Sequence, residues 1–274
     1  MVKIGICGVG FVGQAIQSFF LNSKKPVEQE FHKHDIEVYD KYKHINTLAH
    51  VINTNLLYIC LPTPFNEQLQ TYDLSEISQL LFLLNEQKYT GTILVKSTVT
   101  PNYCTDMNQM YKGLKIVHNP EFLSARTAAQ DFAQQEHIIL GYTLQSQCML
   151  NFLSEFYKVL FPKAIISSCS AEVASLTKLA CNSFYATKVQ YFTELYGLCE
   201  RMGISYTTVK DLMIRNNWIH PQHTTVPGPD GQISFGGACL PKDLSALNQF
   251  MALYKTPHQV LNAAITERNE MRTL

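Results

Sequence analysis

The sequence is short of the features that mark several broad protein classes. No run of about 18 apolar residues occurs, so no transmembrane helix is expected. Neither charge dominates: 22 Lys+Arg balance 22 Asp+Glu, and only 16% of residues are charged. A neutral chain lacks the electrostatic footprint of a nucleic-acid or anionic-membrane binder. The eight cysteines are scattered, with no C-x-x-C pair. That excludes a zinc site read from spacing, and a disulfide framework is not expected at this length. A reducing cytoplasm is the expected compartment, with most thiols serving as small buried apolar groups. No repeat and no low-complexity tract is present. The apolar N-terminus is punctuated by glycine and lacks the plan of a signal peptide.

What is present is 274 residues, 46% of them hydrophobic. That is enough for one large domain or two modest ones. In the first half, short β-rich runs alternate with helical stretches. Strands are expected at Lys3–Cys7, Ile36–Tyr39, Leu56–Cys60, Thr92–Lys96, Lys115–Val117 and Ile138–Gly141. Such alternation implies a parallel α/β sheet. From Ala171 to about Met202 the pattern is one long helix closed by Gly203. A Gly/Pro-rich stretch follows, and helices resume near Lys242. The expected division is an α/β domain over 1–165 and a mostly helical domain over 166–274.

Gly8-Val9-Gly10-Phe11-Val12-Gly13 matches G-x-G-x-x-G directly after a strand and at the start of a helix. This is the context in which the motif binds a dinucleotide. Gly8 allows the tight turn, Gly10 admits a pyrophosphate to the backbone, and Gly13 lets the helix pack against the sheet. Asp40 ends the next strand, where a carboxylate binds ribose hydroxyls and repels a 2′-phosphate, favouring NAD over NADP. Lys41 and Lys43 pull against that preference. The long gap from Gly13 to Asp40 is accounted for by a polar surface insertion over 22–35.

Two further constellations carry possible chemistry. Cys239 follows Gly236-Gly237-Ala238 at a helix start and precedes Lys242. A helix N-terminus and a cation both favour thiolate, although an incidental cysteine in a helix-entry loop fits as well. Lys178 and Asn182 stand at i and i+4 on the long helix. They could stabilise an oxyanion or simply line a solvated face. Thr98 and Glu121 each follow a strand. They fall at the carboxyl edge of the sheet, where open α/β folds bind ligands, though each could equally be a turn residue.

In this order, Gly8–Gly13, Asp40, Pro62–Pro64, Ser97–Val99, Asn119–Leu123, Lys178 with Asn182, and Gly236–Asp243 resemble the motifs of the UDP-glucose/GDP-mannose dehydrogenase family. The resemblance implies a Rossmann-type parallel sheet followed by a mostly helical dimerisation and substrate domain. It implies NAD as cofactor, held by Gly8, Gly10, Phe11, Val12, Gly13, Asp40, Thr63 and Thr98. It implies oxidation of a nucleotide-sugar primary alcohol to a carboxylate, UDP-glucose before UDP-N-acetylhexosamines or GDP-mannose. Cys239 would be the nucleophile that forms a thiohemiacetal and then a thioester. Lys178 and Asn182 would stabilise oxyanions, Asp243 and Thr98 would hold water, and Glu121 would assist hydrolysis. Glu121, Phe122, Leu123, Lys178, Asn182, Phe235, Gly236 and Gly237 would touch the sugar nucleotide. A homodimer through the long helix is implied as well.

The chain also departs from the family pattern. A second acid expected four residues after Glu121 is Ala125, and a Glu expected three residues before Lys178 is Ser175. His220 and His223 stand where the family carries an arginine. The residues near Val260–Asn269 resemble the helix that leads into the family's third, nucleotide-binding domain, beyond which this sequence stops. An alternative expectation is therefore an NAD-binding dimer that is inactive or depends on a partner. A weaker one is a dehydrogenase of small hydroxy acids, which would give Cys239 no task.

Overall fold

The computed structural model describes residues 2–22 and 35–272. Most of the expected surface insertion therefore lies outside the described residues. The described residues form two compact units, Met1–Pro64 with Tyr72–Lys178, and Phe65–Thr71 with Leu179–Leu274. None of their helices is long and apolar enough to cross a membrane.

The elements run β1 (Lys3–Cys7), α1 (Phe11–Asn22), β2 (Asp35–Tyr39), α2 (Leu48–Val51), β3 (Leu56–Ile59), β4 (Phe65–Asn66), β5 (Thr71–Tyr72), α3 (Ser75–Glu86), β6 (Thr92–Val95) and α4 (Tyr103–Met110). They continue with β7 (Lys115–His118), α5 (Ala128–Ala133), β8 (His137–Tyr142), α6 (Leu150–Leu160), β9 (Ile165–Ser170), α7 (Ala171–Met202), α8 (Tyr206–Ile214), α9 (Leu240–Leu253) and α10 (Gln259–Met271).

The first unit is built on a seven-stranded, Rossmann-type sheet in the order β2-β1-β3-β6-β7-β8-β9. Its strands alternate their side chains between two cores, as a pleat of period two requires. Ile4, Ile6, Leu56, Tyr58, Leu94 and Val117 face α1, α5 and α6. Cys7, Leu57, Ile59, Ile93, Val95 and Ile116 face α2, α3 and α4. Burial on both faces explains why these strands read as continuous apolar runs.

The expected parallel sheet is present, with one antiparallel pairing that the sequence did not signal. β2, β1, β3, β6 and β7 are parallel, but β8 pairs antiparallel with β7, and β9 runs parallel to β8. A parallel successor to β7 would need a crossover back along the sheet. The connection carries only the six-residue α5, which packs against α1, and the chain enters β8 from the edge where it left β7. β9 was not expected as a strand. Its sequence, IISSCS, is polar because it is an edge strand with no residue fully buried.

In the second unit, Ala186, Phe235, Leu244 and Ala264 join α7, the loop before α9, α9 and α10 in one core. A second cluster, Phe192, Cys199 and Tyr206, joins α7 to α8. The end of α7 is the expected glycine stop. Gly203 has φ +66°, its N–H bonds Glu200 O, and Ile204 N–H bonds Cys199 O, which together form a Schellman motif.

Candidate active site

Because β2, β1, β3, β6 and β7 are parallel, Asp40, Gly8, the 60–64 loop, Thr98 and Glu121 all leave the sheet at one edge of the first unit. The chain order places β2 and β3 on opposite sides of β1, which makes the β1/β3 end a topological switch point. The glycine turn is sterically specified there. Gly8 has φ +92°, and a Cβ on it would lie 2.6 Å from Cys60 O. A Cβ on Gly13 would lie 1.9 Å from Gly8 O. At Gly10 a Cβ would meet nothing within 4 Å, so the space before the first turn of α1 is open. Phe11 and Val12 turn partly into the core, leaving their backbone at the mouth of the turn.

Asp40 is tied to this turn. Its Oδ2 accepts Val9 N–H at 2.7 Å, and its Oδ1 accepts the N–H groups of Tyr42 and Lys43. Partial burial works against its charge, but those three N–H groups outweigh it and hold the carboxyl below the usual range. The two lysines that weakened the NAD reading both have protein partners. Lys43 Nζ donates to Val9 O at 2.5 Å, and Lys41 pairs with Glu76 at 3.4 Å. Open space at a helix N-terminus beside a fixed carboxylate fits a dinucleotide.

Two bonds stitch the neighbouring loops. Thr63 Oγ1 donates to Thr98 O at 2.8 Å, and Ser97 Oγ donates to Leu61 O at 2.7 Å. Thr98 is itself buried. At the end of β7, Glu121 is buried, with Oε2 accepting Leu123 N–H at 2.6 Å and Oε1 lying 3.6 Å from Lys178 Nζ. The Lys178 ammonium, also buried, sits 5.1 Å from the ring centre of Phe122. The structure thus brings Glu121, Phe122, Leu123 and Lys178 together.

In the second unit, Cys239 is half-buried at the N-cap of α9, and Pro241 is the second residue of the helix, in the first turn, where its missing N–H costs no helical bond. Asp243 is fully buried in the first turn, and its N–H bonds Cys239 O at 3.0 Å. Its Oδ2 accepts from Asn182 Nδ2 and its Oδ1 from Lys242 Nζ, each at 2.5 Å. A carboxylate only accepts, so the Asn182 amide must present its nitrogen to Asp243, which leaves the second N–H to donate elsewhere. Phe235 is buried in the core, while Gly237 takes φ +78° just before Cys239.

Comparison with known proteins decides the family. The NAD-binding-domain model of the UDP-glucose/GDP-mannose dehydrogenase family matches residues 37–161, and the model of its central domain matches 172–270. The chain belongs to this family. It is 25% identical over 304 residues to UDP-glucose 6-dehydrogenase of Streptococcus pneumoniae, covering 99% of this chain and 73% of that protein. It is 29% identical over 231 residues to UDP-glucose 6-dehydrogenase of Rickettsia typhi, covering 80% of this chain and 50% of that protein. Among solved structures, a UDP-glucose dehydrogenase from Pyrobaculum islandicum superposes with a TM-score of 0.81 at 21% identity, over 98% of this chain and 68% of that one. The chain thus spans half to about three quarters of the length of these proteins. NAD is the cofactor of the matched domain.

The family pattern also puts one departure in context. Ser175, where the family's Glu was expected, lies 2.7 Å from His118 Nδ1, and both residues are buried. Burial drives the imidazole of His118 down to about 3, against a bond to Ser97, and Lys96 and Lys178 push the same way as burial. His118 is therefore neutral. Sequence reasoning missed it, and it missed the buried Lys96 and Asn119 as functional neighbours. Lys96 Nζ donates to Asn119 Oδ1 at 3.2 Å, Tyr157 OH donates to the same oxygen at 2.6 Å, and Asn119 Nδ2 donates to Ile139 O at 2.8 Å. Burial lowers Lys96 to about 8, while Cys60 and Glu121 pull it back up and Lys178 pushes it further down. Its place directly before the Ser97–Val99 motif was the one signal available for it.

Proposed function

We propose that this chain oxidises the primary alcohol of a nucleotide sugar, UDP-glucose in the first instance, to a carboxylate, with Cys239 as covalent nucleophile. The observation that carries the reading is buried Asp243, in the first turn of the helix that Cys239 caps, bound by Asn182 of α7 and by Lys242. Together these residues supply a thiol, an oriented amide donor and a carboxylate.

Each residue has a task. Water held by Asp243 takes the alcohol proton in the first oxidation, giving an aldehyde. The Cys239 thiolate then adds to the aldehyde carbon, forming a C–S bond and an alkoxide. The free N–H of Asn182 and the ammonium of Lys178 stabilise that alkoxide, and a proton completes the thiohemiacetal. The second oxidation removes that proton and leaves the thioester. Water assisted by Glu121 adds to the thioester, the C–S bond breaks, thiolate returns to Cys239, and the carboxylate leaves. NAD, when bound, accepts one hydride in each oxidation.

The second copy expected by resemblance also finds support. Phe184, Tyr191 and Leu198 on α7 are 64%, 55% and 53% exposed at a spacing of seven residues, an apolar seam of the kind that packs helix on helix. A second reading, an NAD-binding dimer without turnover, is favoured by Ala125 in place of an acid. The test is NADH formation from NAD with UDP-glucose, UDP-N-acetylhexosamines and GDP-mannose, with NAD binding measured in parallel. UDP-glucose should turn over, and Cys239→Ala should lower turnover by about a thousandfold while NAD still binds. NAD binding without NADH from any sugar would select the second reading.

A further inference from the structure

We propose that Arg272 is a positioning residue for Cys239, locking the segment that leads into the Gly236–Cys239 loop. The proposal deepens the reading above and rests on it for the role of Cys239. Arg272 caps the C-terminus of α10. Its guanidinium meets three acceptors on one short segment. Nε donates to Ile233 O at 2.7 Å, Nη2 to Ser234 O at 2.8 Å, and Nη1 to Asp230 Oδ2 at 2.8 Å. One turn earlier, Arg268 Nε donates to Phe235 O at 3.3 Å, with its guanidinium over the Phe235 ring. The consecutive carbonyls of 233, 234 and 235 are thus all bound from the end of α10.

The same segment is held from its other side by α7. Ser234 N–H donates to Thr193 Oγ1 at 3.1 Å, and its hydroxyl donates to Gln190 Oε1 at 2.5 Å. Gln190 Nε2 donates to Glu267 Oε2 at 2.8 Å, which closes the ring back to α10. Ser234 needs this hold, because it sits at φ +60°, a conformation that side chains other than glycine adopt only when the surroundings enforce it. Two residues after Ser234, Gly236 leaves the room that the guanidinium fills. A Cβ there would stand 2.0 Å from Arg272 Nη1. A planar fork with five fixed donors suits this set of converging acceptors, and a lysine ammonium cannot reach all three. The thiol three residues further on inherits its position from a segment fixed in this way.

Arg272→Met and Gly236→Ala break the lock from opposite sides, the second by evicting the guanidinium. Each should be made in the full chain, singly and together. Hydrogen exchange over 230–239, alkylation of Cys239 by iodoacetamide, NAD affinity and NADH turnover are then measured. In Arg272→Met, exchange over 230–239 should rise about tenfold. Its kcat should fall about tenfold or more, with NAD affinity within about twofold of wild type. The double variant should be no worse than the worse single, because both remove one contact. Arg272→Lys should recover only part of the loss. If Arg272→Met fails to fold, Asp230→Asn weakens one of the three contacts and should give a smaller rise in exchange in the same segment. A merely structural role would lower stability without separating kcat from NAD affinity. Wild-type exchange over 230–239 in Arg272→Met, or in Asp230→Asn where that variant stands in, overturns the proposal, as does full additivity in the double variant. A wild-type protein that makes no NADH overturns the functional reading instead, and the lock is then judged on exchange and alkylation.

Discussion

Lys96→Met should make the protein more stable at neutral pH. Lys96 is only 3% exposed, and burial lowers it from the ordinary 10.5 to about 8 despite the opposing pull of Cys60 and Glu121. Its folded value is thus below its unfolded one, so the unfolded chain binds the extra proton between those two values. Stability from this group therefore rises with pH through that window, and the full penalty is in force below about pH 8. At 1.36 kcal/mol per pH unit, the charged lysine costs the fold about 3 kcal/mol at pH 7 and roughly half that at pH 9.5. Methionine has a similar length and no charge to desolvate. It leaves no acceptor orphaned, because Tyr157 OH still donates to Asn119 Oδ1, and Glu121 keeps Lys178. Urea denaturation followed by circular dichroism should show a gain of about 2–3 kcal/mol at pH 7 that roughly halves at pH 9.5. A variant no more stable than wild type, or a gain that does not change with pH, refutes the argument. A lysine retained at this cost beside Glu121 and Lys178 points to work done there rather than to stability.

Two glycine substitutions should separate folding from binding. Gly13→Ala drives a Cβ into Gly8 O, a backbone atom that cannot move away cheaply, and should cost about 2 kcal/mol or more of thermal stability. Gly10→Ala meets open space and should melt like wild type but bind NAD at least about tenfold more weakly by calorimetry. Equal melting losses in both would refute the distinction. Tyr191→Glu places a charge in the middle of the exposed α7 seam, and light scattering should find a dimer for wild type and a monomer for the variant. A monomeric wild-type protein would remove the basis for reading that face as an interface.

The parts of this fold and site that were legible in the sequence are those whose causes are local. Gly8, Gly10 and Gly13 are read from one turn, Asp40 from the end of one strand, and Gly203 from one helix stop. The direction of β8 was not legible, because it depends on how the 119–136 connection returns to the sheet rather than on the strand's own residues. β9 was hidden because an edge strand has no need of the apolar run that identifies its neighbours. The same division holds at the candidate site. Lys178, Asn182, Cys239 and Asp243 stand out by motif, as do Glu121 and Lys242, which pair with Lys178 and Asp243, but other groups packed at the site do not. Ser175 looks like a loss until His118, 57 positions away, is found against it. Lys96 looks like the edge of a motif until Asn119, 23 positions on, is found holding it. Arg272 has no motif at all, and its acceptors lie 38 to 42 positions upstream. In each case the chemistry-bearing side chain is marked by sequence, while the group that orients it comes from a different element. Substitutions that keep every motif intact can therefore still displace the thiol or the carboxylates, and variants outside the motifs, at Lys96, His118 and Arg272, probe the site most directly.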